Sequence, residues 1–477
     1  MSVRPRGRVR SIQHRMMAAE RADLPLMTAS ALAAALRSGE LSARTVLDAH
    51  LARIAKYEPG LAAFITLDAA GARDQAVRLD AITPEARGPL HGLPVAVKDL
   101  VDTAGLRTTY GSALFADHVP DTDDLVVERL REAGAIIVGK TNTPEFGFGA
   151  ICQNQLCGPT RNPFDPALTS GGSSGGSAVA VATGMVPLAH GTDFGGSVRT
   201  PASFCGAVAI RPTPGRIPAP KRRLAWDRLA THGVMARNVD DCALMLAALS
   251  ALHADDPTSI IPDRAPPTER PRIAATADFD AALVSIAVRE RFAEALDQLS
   301  RAVGKPANAS PDCHGAPGIF KTLRAAHVRH AFKPAADRLG DRLTPTAAWN
   351  IAEGEGISAQ DYLDAESMRG QLYRNFTAFF RAHDLLIAPA ASVLPWPNEV
   401  PDVLSIDGRA LSSIIDYLAV TFIVSLVGFP VLTLPAPQGN HRLPFGLQVI
   451  ARPGEEALLT SFGRGLESAG FRHRFAF

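Results

Sequence analysis

The chain has 477 residues, 46% of them hydrophobic and 20% charged, with 49 Lys+Arg against 48 Asp+Glu. That length and apolar content allow a large buried core and exclude a wholly disordered chain, while a formal net charge of +1 offers no global attraction to nucleic acid or an anionic membrane. The basic residues divide unevenly, 42 Arg to 7 Lys, so a lysine here is the unusual choice.

Residues 1–26 carry six Arg against Glu20 and Asp23, a net charge of +4, and read as a basic, disordered extension; the apolar run of a secretory signal does not follow. Residues 27–477 read as one domain. Gly39 closes a first helix, and Ser42 caps a second that runs to about Tyr57 with Val46, Leu47, Leu51 and Ile54 on one side. A strand over Ala62 to Leu67 and a polar helix ending near Ala81 follow. Leu93 to Val101 is β-branched and apolar around the single Lys98. A helix from Asp123 to Ala133, closed by Gly134, feeds the buried strand Ala135–Val138. This α/β alternation predicts a sheet with both faces covered by helices.

From about Cys152 to Cys205 the texture changes to Gly, Ser, Pro and Thr. Residues 255–320 are Pro/Ala-rich and open a variable excursion that extends to about 380. This excursion and the region near Trp349 are candidates to cover a site, with ordinary surface packing as the simpler reading. Strands at Asp384–Pro389, Pro430–Leu434 and Phe445–Ile450, a helix over Ile414–Leu426 and a last helix from about Glu455 complete the chain. The nearly all-apolar run Tyr417–Leu434 is broken by Gly428 and Pro430, so it reads as a buried helix then a strand rather than a membrane span.

Five scattered cysteines without a ligand ladder fit free thiols in a reducing, cytoplasmic setting. His327 and His330 form an H-x-x-H without a third ligand at a recognisable spacing, so no metal is expected.

Two glycine-serine clusters carry the chemistry. Gly171-Gly-Ser-Ser-Gly-Gly-Ser177 runs straight into a small-residue helix, which argues against a flexible linker, and no phosphate-loop pattern aligns to it. It does satisfy G-x-S-x-G, but Arg161–Ser170, with two prolines, lacks the buried strand that a nucleophile elbow needs. In Asp193-Phe-Gly-Gly-Ser197 paired glycines can turn successive N–H groups toward one point beside a serine hydroxyl, as an oxyanion hole requires. The base for such a serine is sought at Lys98. Flanked by Val95, Ala96 and Val97, its ammonium is partly desolvated, which makes a neutral, proton-accepting amine accessible.

Val97-Lys-Asp99, Gly139-Lys-Thr-Asn-Thr-Pro-Glu-Phe146, Ser170–Ser177, Gly191–Ala202 with Phe204-Cys-Gly206, and Pro444-Phe-Gly-Leu-Gln448 together resemble the amidase signature family of serine hydrolases. The motifs keep the family's order, with the core ones in 93–210. The resemblance implies a single large domain around a mixed sheet and a Ser–cisSer–Lys triad of Ser197, Ser173 and Lys98. The family's spacing of 24 residues between bridging serine and nucleophile selects Ser173 over Ser174. It further implies an oxyanion hole from the N–H groups of Phe194, Gly195, Gly196 and Ser197, with Ser174, Asp193 and Arg199 in support. No cofactor is required.

Phe146, Phe148, Ile151, Cys152, Phe194 and parts of Ile414–Phe422 are expected to wall the substrate pocket. The expected activity is hydrolysis of neutral, fairly apolar small-molecule amides, anilides, esters or carbamates by a stand-alone enzyme; a homodimer is compatible with it, and no nucleic-acid or membrane partner is expected. Within the family the alternative is the glutaminase A subunit of a tRNA-dependent amidotransferase. Thr143-Pro-Glu-Phe146, where that subunit carries Asp-Glu-Phe, and the bulky Phe194 point away from it. A catalytically dead binding protein of the same fold is the alternative of a different class.

Overall fold

A computed structural model describes residues 23–261 and 268–477. Among the described residues eleven strands form one sheet: β1 (Phe64–Leu67), β2 (Pro94–Lys98), β3 (Ile136–Thr141), β4 (Leu188–Asp193), β5 (Val208–Arg211), β6 (Thr231–Ala236), β7 (Ile273–Ala275), β8 (Ala307–Asn308), β9 (Leu385–Pro389), β10 (Val431–Pro435) and β11 (Gly446–Ile450). Their spatial order is β1-β3-β2-β4-β6-β5-β10-β11-β9-β7-β8. The sheet is mixed: β2 runs parallel to β3 and β4, whereas β4, β6, β5, β10, β11 and β9 pair antiparallel in succession. Every residue of β2, β3, β9, β10 and β11 is buried, which requires helical layers on both faces. The chain is thus a single α/β domain built on a central mixed sheet.

The capping signals act as read. The Ser42 hydroxyl accepts from the Thr45 N–H at 3.1 Å to open the helix Ala43–Leu61, and Gly39 in the left-handed region closes the one before it. The apolar run at 414–426 divides into a short 3-10 turn, Asp416–Leu418, and a helix, Ala419–Val427, ending at left-handed Gly428. No described helix is long and apolar enough to cross a membrane.

Other parts differ from expectation. Three central strands, β4, β5 and β6, lie in or beside the Gly/Ser/Thr-rich stretch, where no strand is predicted. In β4 and β6 the residues His190, Thr192, Asp193, Thr231 and His232 are wholly or partly buried through tertiary pairing, and this polarity masks a strand pattern, whereas β5, Val-Ala-Ile-Arg, is only four residues long. The excursion contains the amphipathic helix Ile286–Val303 and the last two strands of the sheet, β7 and the edge strand β8, so it extends the sheet. Among the described residues of 255–320 only the terminal Phe320 lines the large cavity described below, so the described part of this segment does not cover it. Residues 262–267 lie outside the described residues, as do residues 1–22 of the basic extension. Leu24–Leu26 forms a 3-10 turn with Leu24 and Pro25 buried.

Four helices position the site: α1 (Gly175–Ala182), α2 (Arg199–Cys205), α3 (Ala316–Leu339) and α4 (Ala419–Val427). All eight residues of α1 are buried. A Cβ on Gly176 would stand 2.4 Å from the Ala63 carbonyl oxygen and 2.6 Å from the Asn142 nitrogen, so only glycine lets the serine-rich loop dock this closely.

Candidate active site

Parallel pairing of β2 with β4, Val95 opposite Leu188 and Ala96 opposite Ala189, brings Lys98 and the Asp193 loop to one edge of the sheet. Open α/β sheets place ligands at such carboxyl ends. Fully buried Lys98 donates from Nζ to Ser173 Oγ at 2.7 Å, Ser174 Oγ at 2.9 Å and Thr192 Oγ1 at 2.9 Å. Burial pulls its pKa from 10.5 down to about 7, against the opposing influence of Cys152 and Asp193. Ser174 Oγ in turn donates to the Thr192 carbonyl at 3.2 Å. Ser173 follows a cis peptide bond from Gly172.

Ser197 is half-buried at the wall of the same cavity as Ser173, and its carbonyl accepts from the Ser174 N–H at 3.1 Å, which ties the two serine loops together. The Ser197 hydroxyl itself has no hydrogen-bond partner among the described residues. Catalytic hydrogen bonds in ligand-free sites are often long and tighten only with substrate.

The loop that presents Ser197 is braced from below. Asp193 receives N–H bonds from Gly196 at 3.0 Å and Val198 at 3.1 Å, a two-point contact from Arg199, and a further contact from Arg211 at 3.1 Å, all fully buried. Burial by itself would raise this carboxyl, but Arg199, Arg211 and the hydrogen bonds hold it well below the usual carboxylate range. Arg199 also donates to the Thr421 carbonyl at 2.7 Å, Ser425 Oγ at 2.6 Å and Gln448 Oε1 at 3.2 Å, fastening the loop to α4 and β11.

One donor expected for the oxyanion hole is committed elsewhere: the Gly196 N–H points at Asp193, leaving those of Phe194, Gly195 and Ser197 without partners among the described residues. A carboxylate under the loop must itself be satisfied, and it takes the nearest N–H. The Gly195 carbonyl accepts from Thr421 Oγ1 at 2.6 Å, which pins its peptide unit.

Ser173 and Ser197 open into a cavity of about 720 Å³. Phe146, Phe148, Phe194, Tyr417 and Leu418 line it. Ile151 and Cys152 do not: both are buried behind it, and the Cys152 thiol donates to the Asn142 carbonyl at 3.1 Å. The backbone turns after Ala150, so adjacency in sequence to Phe148 does not carry to the wall.

The reading by sequence missed α3, whose Phe320 stacks on Phe422 at 4.1 Å and lies 5.9 Å from Phe194. Thr192, the third contact of Lys98, is likewise not singled out by the sequence, although it lies within Gly191–Ala202. His327 accepts or donates at Tyr362 rather than joining His330 in a ligand set, and among the described residues no cluster of three or more His, Cys, Asp or Glu fits a metal.

Comparison with known proteins identifies the family. A profile described as amidase matches residues 45–460. The A subunit of the glutamyl-tRNA(Gln) amidotransferase of Ralstonia nicotianae is 34% identical over 93% of this chain and 98% of its own. A solved chain from an inhibitor-bound complex, described in connection with the origins of an s-triazine catabolic enzyme, superposes with a TM-score of 0.86 at 28% identity over 94% of this chain and 99% of that one. The corresponding amidotransferase A chain of Thermotoga maritima gives 0.74 at 26% identity over 95% and 99%. With its mixed sheet, its lysine–serine edge and a profile match over most of its length, the chain belongs to the amidase signature family, whose members hydrolyse amide C–N bonds.

Proposed function

We propose that the chain hydrolyses a linear carboxylic amide with an apolar body through an acyl-enzyme on Ser197, using Ser173 and Lys98 as its proton relay. The observation that carries this is the buried Lys98 amine 2.7 Å from Ser173 Oγ beside Ser197 at the cavity wall. A neutral amine has two N–H donors and one lone pair. Ser174, its proton aimed at the Thr192 carbonyl, and Thr192 Oγ1 take the two donors, so the lone pair falls to Ser173, and the 2.7 Å bond reverses direction. Ser197 then passes its proton to Ser173 as it attacks the carbonyl, and Ser173 passes its own to Lys98. The relay runs backward to protonate the leaving nitrogen, and water repeats the cycle to release the acid. The N–H groups of Phe194, Gly195 and Ser197 face the developing oxyanion; each such donor is worth on the order of 3 kcal/mol.

A fluorophosphonate probe labelling Ser197, together with turnover in a panel of amides, anilides, esters and carbamates, tests this reading. A protein that stays unlabelled and inactive is a binding module instead.

A second reading is favoured by the curated relatives. Their name, which makes each the A subunit of a glutamyl-tRNA(Gln) amidotransferase, stands against the expected absence of a nucleic-acid partner and suggests glutamine hydrolysis within a larger assembly. The Phe194–Phe320–Phe422 cluster, which adds apolar bulk at the nucleophile loop, supports the amidase acting on apolar amides. Glutaminase activity that rises on adding partner subunits, with no turnover of other amides, would select the second reading.

A further inference from the structure

Arg324 is a buried cation that the proposed chemistry does not use. It sits on α3, 9% exposed, and lines the cavity. Among the described residues its guanidinium has no hydrogen-bond acceptor and no carboxylate oxygen within 4.0 Å, although Asp227 and Asp402 line the same cavity. The Phe148 ring lies 5.7 Å from its Cζ and covers one face, leaving the donor edge without a partner. Burial lowers its pKa to about 10, with Tyr417 and Glu353 opposing, so it is charged at neutral pH. Tyr417, 3% exposed, also lines the cavity and has no hydrogen-bond partner among the described residues. An arginine fork and a phenol left without protein partners in a largely apolar cavity match the planar, two-oxygen geometry of a carboxylate.

We propose that Arg324 and Tyr417 form a carboxylate-binding subsite, so that the favoured substrate is an amide carrying an acid group at the far end of an apolar chain. This rests on the amidase reading and replaces the expected neutral substrate with a monoanionic one. Phe320, four residues before Arg324, abuts the nucleophile loop: a Cβ on Gly195 would stand 3.1 Å from its Cζ. Arg324 lies about one helical turn further along α3, so an apolar chain separates the scissile carbonyl from the acid, and adipamate, with four methylenes between the two, serves as the probe.

The test compares kcat/KM for adipamate and for hexanamide, which has a methyl group in place of the acid group. The wild type prefers adipamate by about tenfold or more, through KM, and in Arg324→Gln that ratio collapses toward one, as expected when a desolvated charge-assisted pair is lost. Arg324→Lys, which keeps the charge but not the fork, gives an intermediate ratio and covers a misfolded Gln variant. Calorimetry on Ser197→Ala adds a reading free of turnover: adipate binds, and binding disappears when Arg324→Gln is added. A wild type indifferent to the acid, or a ratio unchanged in Arg324→Gln, overturns the subsite while leaving the amidase reading intact. Arg324-dependent adipate binding without turnover of any amide has the opposite meaning. L-glutamine preferred over glutaramate, still dependent on Arg324, keeps the subsite and selects the glutaminase reading.

Discussion

Lys98 gives the sharpest prediction, because one residue links stability, pH and rate. The fall of its pKa from 10.5 to about 7 opposes the charged form by roughly 5 kcal/mol. A base with a depressed folded pKa destabilises the fold as pH drops: the cost is absent above 10.5, grows through the intervening range, and is nearly complete at pH 7. Activity has the opposite dependence on protonation, since only the neutral amine accepts a proton. The neutral fraction is about one in eleven at pH 6, about half at pH 7 and about ten in eleven at pH 8. The logarithm of kcat/KM for a non-ionising amide should therefore rise with unit slope to about pH 7 and then level. Lys98→Met should lower kcat/KM by about 10²–10⁴-fold while the melting temperature at pH 7 rises rather than falls. Stopped assays across pH 5.5–9 and thermal denaturation of both proteins measure these quantities. The neighbouring His190 and His232 are held below 6.5 by burial, His232 at about 4, so neither can mimic the inflection. A flat profile through pH 7, or a methionine variant keeping a tenth of wild-type activity, would refute the relay.

Ser197→Ala should abolish fluorophosphonate labelling and amide turnover with the fold intact by circular dichroism; persistent labelling elsewhere would move the nucleophile. Gly196→Ala should reduce kcat sharply, because Gly196 has φ of +128° and a Cβ there would lie 2.4 Å from Thr421 Oγ1; unaltered kcat would mean that the loop does not hold the oxyanion. Arg199→Met leaves buried Asp193 with Arg211 as its remaining cation and should cost about 3–5 kcal/mol of unfolding free energy in urea. The depressed Asp193 carboxyl contributes in full above its unfolded pKa near 3.8 and less as pH falls through its folded value, so the loss should be constant between pH 5 and 8.

Local signals were legible where neighbours in sequence settle the matter. Ser42 and Gly39 bound their helices through hydrogen bonds within a turn, Lys98 stands out because β2 is otherwise apolar, and the glycine pairs mark loops that only glycine can form. Strand β4 was not legible, because its His190, Thr192 and Asp193 are polar for reasons that lie on other strands and on α2.

The sequence by itself determined which residues can donate, accept and hold protons: a rare lysine in an apolar strand and serines set in glycine loops at a fixed spacing. Only the tertiary structure decided which of these groups meet and which remain free. Parallel pairing of β2 with β4 brings Lys98 to Ser173, and Asp193 claims the Gly196 N–H, removing it from the expected oxyanion hole. The same packing carries α3, from a stretch that reads as variable, against the nucleophile, with Phe320 satisfied by stacking and Arg324 left charged in a largely apolar cavity. The physical reason is that hydrogen-bond satisfaction and desolvation depend on what stands within a few ångströms. For these residues that surrounding comes from segments far away along the chain.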